Sequence, residues 1–370
     1  MRIGILLEHA DPGRGGLERW ALQYLRWLEA AGDSVEVASR TVADGALGPG
    51  VRWHRLPDHA DRRVVAQAAR QWIREAAPNA VHDLGVTAGF HLLHLQAGCR
   101  IACRIAEASG YSTVQRWATF ASPRFWRRAW QLRSFERWQI HQHAGRVVVP
   151  SARVVRDFER WHGLTSARFT IVPNTTDISQ FAPPAPRPQQ PGATDPIRLL
   201  FVATNPWLKG LDLLLDALRN WPASARPFHL TVVGVAKPDP WMARIRRLGL
   251  ATRTTWLGRL SDTRTCYASA DVLVHPSRRD AGSLVLWEAW AAGLPVIGSP
   301  DDGSAEHIRD GINGWRLPES GNTQGLRECL LRVAANPDLA SMATACRGTA
   351  EAYTLQHQFR RLRALLDAST

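Results

Sequence analysis

A proline-rich stretch divides this chain into two halves that repeat the same alternation of apolar and helical segments. The stretch covers residues 181–196, and its prolines lack the N–H donors that a helix or a central strand needs. Before it, the apolar run Arg2–Leu7 leads through a glycine loop into a helical pattern. After it, Ile197–Ala203 leads into the helical pattern Gly210–Leu218. Because strands that alternate with helices form parallel sheets, we predict an α/β protein with two doubly wound sheets.

The domain limits follow from the position of the proline-rich stretch. We predict an N-terminal Rossmann-like domain at residues 1–180, a linker at 181–196 and a C-terminal Rossmann-like domain at 197–370. Whether the last helix packs back on the N-terminal domain stays open. No apolar run reaches the ~20 residues that span a bilayer, and the first apolar run is too short for a signal peptide. We therefore expect a cytoplasmic protein.

The charge of the chain is concentrated in one segment. The formal net charge is +13, and residues 109–168 alone hold eleven arginines against Glu136, Asp157 and Glu159. Such a basic face indicates an anionic partner: a nucleic acid, a phospholipid surface or a phosphorylated substrate. The 16 tryptophans are typical of interfaces that are half apolar and half wet. The five cysteines form no Cys-x-x-Cys pair, and we interpret them as small core residues.

Two strand-to-helix loops could hold an anion. In the first, Gly13–Gly16 opens a helix, where free N–H groups and the helix dipole suit a phosphate. The alternative is a tight turn that needs glycine for its backbone angles. In the second, Lys209 is one of only two lysines in the chain, and it could neutralise a phosphate as a point charge. The alternative is an ordinary exposed lysine.

A third loop carries two carboxylates around a helix start. Asp280 follows an apolar strand, Gly282 and Ser283 lie where the next helix begins, and Glu288 lies in the early part of that helix. The helix start offers N–H donors to a phosphate, and the carboxylates could accept hydroxyl groups of a sugar and of a ribose. The alternative is that both acids only cap and solvate the helix.

These motifs resemble those of the retaining glycosyltransferases of family 4, which have the GT-B fold. The most specific one is the acid-x7-acid pair Asp280 and Glu288, which runs into Gly293-Leu294-Pro295-Val296. Further similar segments follow the family's order along most of the chain: Gly15-Gly16-x-Glu18, 148–158, 171–183, Lys209-Gly210, Gly303 with Glu306, and 309–315. The resemblance implies two Rossmann-like domains that face each other across a cleft.

The resemblance also implies roles for residues. Asp280 would form a hydrogen bond with the donor sugar, and Glu288 would bind the ribose of the nucleotide. The diphosphate would be held by Lys209, by the helix start and by the glycine loop. The implied catalytic residues are Asp280 and Lys209, and the implied donor-binding residues are Gly15, Gly16, Lys209, Asp280, Gly282, Ser283, Leu284 and Glu288. The family needs neither a metal nor a cofactor besides the sugar nucleotide, here UDP-glucose as first choice.

The chain departs from the family pattern at several of these positions. Asp280 replaces the usual Glu, and Asn205 lies in the stretch where an Arg is common. Ser283 and Asp302 stand where the family usually has glycine. A polar contribution from the N-terminal domain is also expected. The candidates, each of which could equally be structural, are Glu18, His91, His94 and Gln96.

Within the family, the stretch Asn205–Pro238 most resembles lipopolysaccharide core glucosyltransferases. This implies a retaining, metal-independent hexosyltransferase that uses a UDP-sugar and a lipid-anchored saccharide acceptor. The alternatives are another glycolipid or polysaccharide acceptor, or a catalytically weak GT-B scaffold. A non-hydrolysing epimerase would not need the acid-x7-acid motif. A nucleic-acid partner is disfavoured because the basic segment contains no recognisable nucleic-acid-binding module.

The basic segment contains a candidate membrane-binding helix at Ser122–His143. Trp126 and Trp130 lie four residues apart, and Arg127 and Arg128 lie between them. An aromatic stripe with arginines at its rim is typical of a helix that lies on anionic lipid. The alternative is that the stripe packs as core and the arginines face solvent. With a lipid-anchored acceptor, the first interpretation places the protein peripherally on the inner face of the cytoplasmic membrane.

Overall fold

The computed structural model describes residues 1–181, 195–236, 238–336 and 338–370. Most of the predicted linker, 182–194, lies outside the described residues. The described chain forms two compact units. Unit 1 comprises Met1–Arg104, Ala118–Asn174 and Gln356–Thr370, and unit 2 comprises Ile105–Trp117 and Thr175–Leu355. This division differs from the domain limits 1–180 and 197–370, which stay a prediction, at residues 105–117, at residues 175–180 and at the C-terminus.

The elements alternate along both halves. The strands are β1 (Arg2–Leu6), β2 (His9–Ala10), β3 (Ser34–Ser39), β4 (Thr41–Val42), β5 (Arg52–Arg55), β6 (Ala80–Asp83), β7 (Leu92–Leu93), β8 (Val147–Val149), β9 (Phe169–Ile171), β10 (Ile197–Val202), β11 (Phe228–Val233), β12 (Thr254–Gly258), β13 (Val272–His275), β14 (Val296–Gly298) and β15 (Gly314–Arg316). The helices are α1 (Gly16–Ala30), α2 (Arg62–Ala76), α3 (Arg100–Ser109), α4 (Thr113–Ala121), α5 (Pro123–Gln142), α6 (Ala152–His162), α7 (Leu211–Leu218), α8 (Asp239–Arg247), α9 (Arg264–Ser269), α10 (Leu284–Ala291), α11 (Thr323–Ala335), α12 (Ala343–Glu351) and α13 (Leu355–Asp367).

Unit 1 is built on a parallel sheet of five strands in the order β5-β3-β1-β6-β7. Strands β1 and β6, near its centre, are buried along almost their whole length, as is usual for parallel strands with helices on both faces. Helix α2 packs on one face through Val65, Ala69 and Trp72. The spacing of these residues is that of one helical stripe.

The last helix contributes to unit 1. Gln358 on α13 accepts a hydrogen bond from Trp20 Nε1 at 2.9 Å and donates one to the carbonyl of Pro173 at 2.7 Å. Phe359 packs on Trp20 with ring centroids 5.7 Å apart, and Arg363 pairs with Asp33 at 2.8 Å. These buried contacts hold the C-terminal helix in the core of this unit, so its residues are needed to complete it.

Unit 2 is built on a parallel sheet of six strands in the order β12-β11-β10-β13-β14-β15. The strands β10, β13 and β14 are direct neighbours near its centre. Because the carboxyl ends of parallel strands lie at one edge of a sheet, the loops that follow these three strands meet there. The candidate residues of unit 2 lie in these loops and in α10, the helix that follows the loop after β13.

The helix predicted at Ser122–His143 is present as α5, which begins at Pro123 and ends at Gln142. The helix before it, α4, ends at Ala121. Pro123 lacks an N–H group and disfavours a helical Ser122, so a new helix begins there. After Gly314–Arg316 the described chain forms α11, α12 and α13. Among the described residues, no helix combines the length and the apolar character that crossing a membrane requires.

Candidate active site

Lys209 and Asp280 meet at the edge of the unit 2 sheet. The Lys209 ammonium donates a hydrogen bond to Asp280 Oδ2 and lies 3.5 Å from the Arg279 carbonyl oxygen. Gly210 allows this approach, since a Cβ there would lie 2.3 Å from the Pro276 carbonyl oxygen. Its φ of 78° is also in the left-handed region that favours glycine. The two residues implied as catalytic are therefore direct partners.

The loop that carries Lys209 is tied to the loop that carries Asp280. Arg278 forms two hydrogen bonds with the carboxylate of Asp212, at 2.8 and 2.7 Å, and a third with the Trp207 carbonyl at 2.8 Å. On the same loop, the Asn205 amide donates to Glu107 at 3.0 Å. Asn205 therefore supports the loop through its amide, at a position where the family often has a cation.

Asp302 lies directly against the start of α10. Its carboxylate accepts hydrogen bonds from the Ser283 N–H at 3.2 Å, from the Ser283 hydroxyl, and from the Ser304 N–H at 2.9 Å. The Ser283 N–H, which the family resemblance directed at a phosphate, is thus bonded to a carboxylate of the chain itself. Leu284 is the first residue of α10, and the first N–H groups of a helix have no partner within the helix.

His275 completes the group around Asp280, although the sequence analysis did not identify it. Its Nε2 lies 3.6 Å from Asp280 Oδ2 and 3.6 Å from Asp302 Oδ2, and the residue is 1% exposed. It ends β13, which reads in sequence as an ordinary buried strand. A polar residue at the carboxyl end of a buried parallel strand is the signal that could have identified it.

The pKa values of the two carboxylates are shifted in opposite directions. Burial alone would raise the pKa of Asp280, but the nearby Lys209 and His275 lower it by more, so that the pKa lies well below its ordinary value. Burial, followed by the negative charge of Asp280, raises the pKa of Asp302. Two carboxylates beside one ammonium thus separate into a strongly ionised group and one that holds its proton more firmly.

Glu288 lies in the second turn of α10 and is only 6% exposed. Its carboxylate accepts a hydrogen bond from the hydroxyl of Tyr267, which is itself buried. The side chain implied to bind the ribose is therefore held in a defined orientation. A contact with a ribose would have to use its remaining acceptor positions.

The glycine loop of unit 1 precedes α1, with Gly15 at the N-cap and Gly16 as the first helical residue. Gly15 has an extended backbone, with φ of 171°, and Gly13 and Gly16 are also outside the left-handed region. The backbone angles therefore do not require glycine here, which disfavours the tight-turn alternative. Glu18 lies in the first turn of α1, and burial raises its pKa.

The other candidates of unit 1 have structural partners. His91 Nδ1 accepts a hydrogen bond from the Val81 N–H at 3.0 Å. His94 is fully buried, stacks on His82 with centroids 5.5 Å apart, and has a pKa that burial lowers to about 3. Gln96 donates to Asn174 at 3.0 Å. These contacts fit the structural alternative that the sequence left open for the three side chains.

The predicted membrane-binding helix α5 has two different faces. Phe125 and Ala129 are buried in unit 1, whereas Trp126 and Trp130 are 38% and 56% exposed. Arg127 and Arg128 are also exposed. The preceding helix α4 contributes no buried residue. The predicted stripe is therefore divided: part of it is core, and the tryptophans and arginines face outward.

Within the described part of the chain, two groups of side chains could offer ligands to a metal ion. In unit 2 the donor atoms of His275, Asp280 and Asp302 lie within 4.8 Å of one another, where Lys209 already supplies a positive charge. In unit 1, Cys99, Glu136 and His162 are grouped in the same way. Glu136 and His162 are buried hydrogen-bond partners at 3.2 Å, so an internal hydrogen bond accounts for this second group.

Two family models match the chain in consecutive segments. Residues 14–180 match the model described as Glycosyltransferase Family 4, and residues 196–336 match the one described as Glycosyl transferases group 1. Together these segments cover most of the chain. The chain belongs to the family 4 glycosyltransferases. The segment 196–336 contains both the Lys209–Asp280 pair and the start of α10.

Two named relatives of known activity match shorter segments of this chain. Lipopolysaccharide glucosyltransferase WaaG of Escherichia coli K12 is 33% identical over 142 residues, which is 38% of each chain. D-inositol 3-phosphate glycosyltransferase of Mycobacterium bovis BCG is 29% identical over 219 residues, 56% of this chain and 45% of that protein. The chain therefore spans less than half the length of these relatives.

Solved structures match the family member over its full length. The crystal structure of WaaG, titled as a glycosyltransferase involved in lipopolysaccharide biosynthesis, has a TM-score of 0.77 at 21% identity and covers 98% of this chain and 99% of that one. The Anabaena protein HepE in complex with UDP-glucose has a TM-score of 0.71 at 18% identity and covers 100% of both. These matches show the GT-B fold.

Proposed function

We propose that this protein is a retaining, metal-independent hexosyltransferase that moves glucose from UDP-glucose to a lipid-linked saccharide such as the lipopolysaccharide core. The observation that carries the proposal is the Lys209–Asp280 pair beside the first turn of α10. A fixed ammonium and a helix start are suited to the charge that gathers on a leaving diphosphate. The similarity to WaaG, and the UDP-glucose bound by HepE, support the choice of reaction and donor.

The donor-site residues of unit 2 have distinct roles in the proposed reaction. Lys209 neutralises the diphosphate, Asp280 accepts hydroxyl groups of the hexose, and Glu288 accepts those of the ribose. The N–H of Leu284 at the first helical position donates a hydrogen bond to a phosphate oxygen, because the Ser283 N–H already donates to Asp302. Gly282 precedes the helix and lets the donor approach the backbone. In unit 1, the extended loop at Gly15 and Gly16 offers further N–H groups to the phosphates.

The acceptor and the location are proposed from the surface of unit 1. The exposed Trp126 and Trp130 beside exposed Arg127 and Arg128 are suited to an anionic lipid surface. We therefore place the protein peripherally on the inner face of the cytoplasmic membrane, where a lipid-anchored saccharide is within reach.

A second acceptor class has support of its own. The inositol-phosphate glycosyltransferase of Mycobacterium bovis aligns with 56% of this chain, a longer segment than WaaG matches. A phosphorylated polyol is thus the alternative acceptor, together with other glycolipids or polysaccharides. Both proposed reactions would use the same donor site. Only an assay that varies the acceptor can therefore distinguish them.

One assay tests the proposal. The purified protein is incubated with a panel of sugar nucleotides, with and without lipopolysaccharide core acceptor or an inositol phosphate, and nucleotide release is measured. We expect release of UDP from UDP-glucose that depends on the lipopolysaccharide acceptor. Faster release with inositol phosphate would establish the second acceptor class. No release with any donor and acceptor would leave a GT-B scaffold without transferase activity.

A further inference from the structure

His275 and Asp302 form a buried pair directly behind Asp280, and neither belongs to the acid-x7-acid motif. The backbones of Asp280 and Asp302 are joined in a short parallel bridge. The Asp280 N–H donates to the Asp301 carbonyl at 3.0 Å, and the Gly303 N–H donates to the Asp280 carbonyl at 3.1 Å. This bridge sets the two residues side by side in the loops that follow the neighbouring strands β13 and β14.

Asp302 is held so that its carboxylate cannot turn. It is fully buried, and hydrogen bonds from Ser283 and Ser304 occupy both of its oxygens. Oδ2, the oxygen that accepts the Ser283 hydroxyl, also faces His275 Nε2. The imidazole therefore lies between a fixed carboxylate and Asp280.

The Asp280 carboxylate is surrounded by three donors. Lys209 Nζ and His275 Nε2 both approach Oδ2, while the Gly282 N–H lies 3.3 Å from Oδ1. Among the described residues, neither nitrogen of His275 has a hydrogen-bond partner, although the side chain is 1% exposed. A buried imidazole without a partner is costly. Active-site hydrogen bonds that are long without substrate often tighten when the substrate binds.

We propose that His275 and Asp302 are positioning residues, which orient the Asp280 carboxylate for the donor hexose. Asp302 anchors the imidazole, and the imidazole N–H fixes the side of the carboxylate that Lys209 also contacts. The other lone pairs of Asp280 are then directed toward the sugar. This inference rests on the proposed function, since it assigns the hexose to Asp280. It also accounts for an Asp in place of Glu, because the shorter side chain needs a support that defines its orientation.

The test compares His275→Leu, His275→Gln and Asp302→Asn with the wild-type full chain. Calorimetry measures the affinities for UDP and for UDP-glucose, and steady-state kinetics measures kcat. For His275→Leu we expect unchanged affinity for UDP, loss of the extra affinity for UDP-glucose, and a kcat lower by about 10- to 100-fold, as for a misplaced reacting group. His275→Gln, whose amide N–H can replace Nε2–H, should recover most of both losses. Asp302→Asn should share the defect of His275→Leu in a milder form.

The outcomes separate the inference from its alternatives. Wild-type kcat and wild-type preference for UDP-glucose in His275→Leu would overturn it. Equal loss of UDP and UDP-glucose affinity in His275→Leu and His275→Gln, with a lower Tm, would show a purely structural role and overturn it as well. If the wild-type chain binds UDP-glucose no better than UDP and transfers no sugar, the proposed function fails, and the inference falls with it.

Discussion

Replacing Lys209 with alanine is the substitution whose effect on activity follows most directly from the structure. Lys209 contacts Asp280 directly, and the two side chains are 19% and 17% exposed. A preorganised donor that stabilises a developing charge contributes about 10²–10³-fold to kcat. Because solvent partly screens this pair, we take the lower end and expect Lys209→Ala to reduce kcat/KM by about 10²-fold.

The same substitution affects stability, which the assay has to separate from catalysis. The substitution removes the cation that Asp280 contacts, and the ionised Asp280 carboxylate then lies beside Asp302 without Lys209. The cost should lie between that of a surface ion pair, about 0–1 kcal/mol, and that of a broken buried pair, about 3–5 kcal/mol. Thermal unfolding of the variant therefore accompanies the kinetics, and the assay temperature stays well below its Tm.

A matched control removes a cation elsewhere in unit 2. Arg332 pairs with Asp310 at 2.7 Å, and both side chains are about half exposed. Arg332→Ala should keep wild-type kcat/KM, which excludes a general effect of net charge. The assay is nucleotide release from UDP-glucose in the presence of acceptor. Near-wild-type turnover by a folded Lys209→Ala would remove Lys209 from the mechanism.

Four further predictions concern other parts of the account. Asp280→Asn should mainly lower kcat and Glu288→Gln should mainly raise the donor KM, because in the proposed reaction Asp280 orients the hexose and Glu288 binds the ribose; equal changes of both parameters in both variants would contradict these roles. The double variant Arg127→Glu with Arg128→Glu should lose salt-sensitive co-sedimentation with anionic vesicles, at about 1 kcal/mol for each residue near the surface; equal binding to neutral vesicles, or none by the wild type, would refute the surface. Treatment with EDTA should leave transfer unchanged, since Lys209 supplies the charge; activity that is lost and then restored by a divalent cation would place an ion at His275, Asp280 and Asp302. Gly210→Ala should lower Tm and activity together, because its Cβ would lie 2.3 Å from the Pro276 carbonyl oxygen; an unchanged Tm would show that the loop can move.

The pattern of strands and helices predicted the fold class because parallel sheets are buried on both faces and read as apolar runs. The helix predicted at Ser122–His143 corresponds to α5, because Pro123 is favoured at the start of a helix and the apolar spacing continues after it. Several elements went unpredicted, and two of them are instructive. Strand β5 is exposed along its length and has no apolar pattern, whereas α2 has a clear amphipathic stripe that was overlooked.

The candidate site was only partly predictable from the sequence. Lys209 and Asp280 lie 71 positions apart, and their motifs identified each of them but not their contact. Asp302 was noted as a departure from a glycine, and its bond to Ser283 depends on two loops that meet only in the folded unit. The only local signal for His275 is its polar side chain at the carboxyl end of β13, and its contacts with Asp280 and Asp302 come from separate loops. Tertiary contacts of this kind are invisible to spacing and propensity.

The central claim is that this chain transfers a hexose from a UDP-sugar with retention at the anomeric carbon. Proton NMR of one reaction that contains the wild-type protein, UDP-glucose and a lipopolysaccharide core acceptor tests it most directly. The account predicts that UDP and an α-linked glucoside appear together and in equal amounts. A β-linked product, free glucose in place of a glycoside, or an unconsumed donor would contradict it.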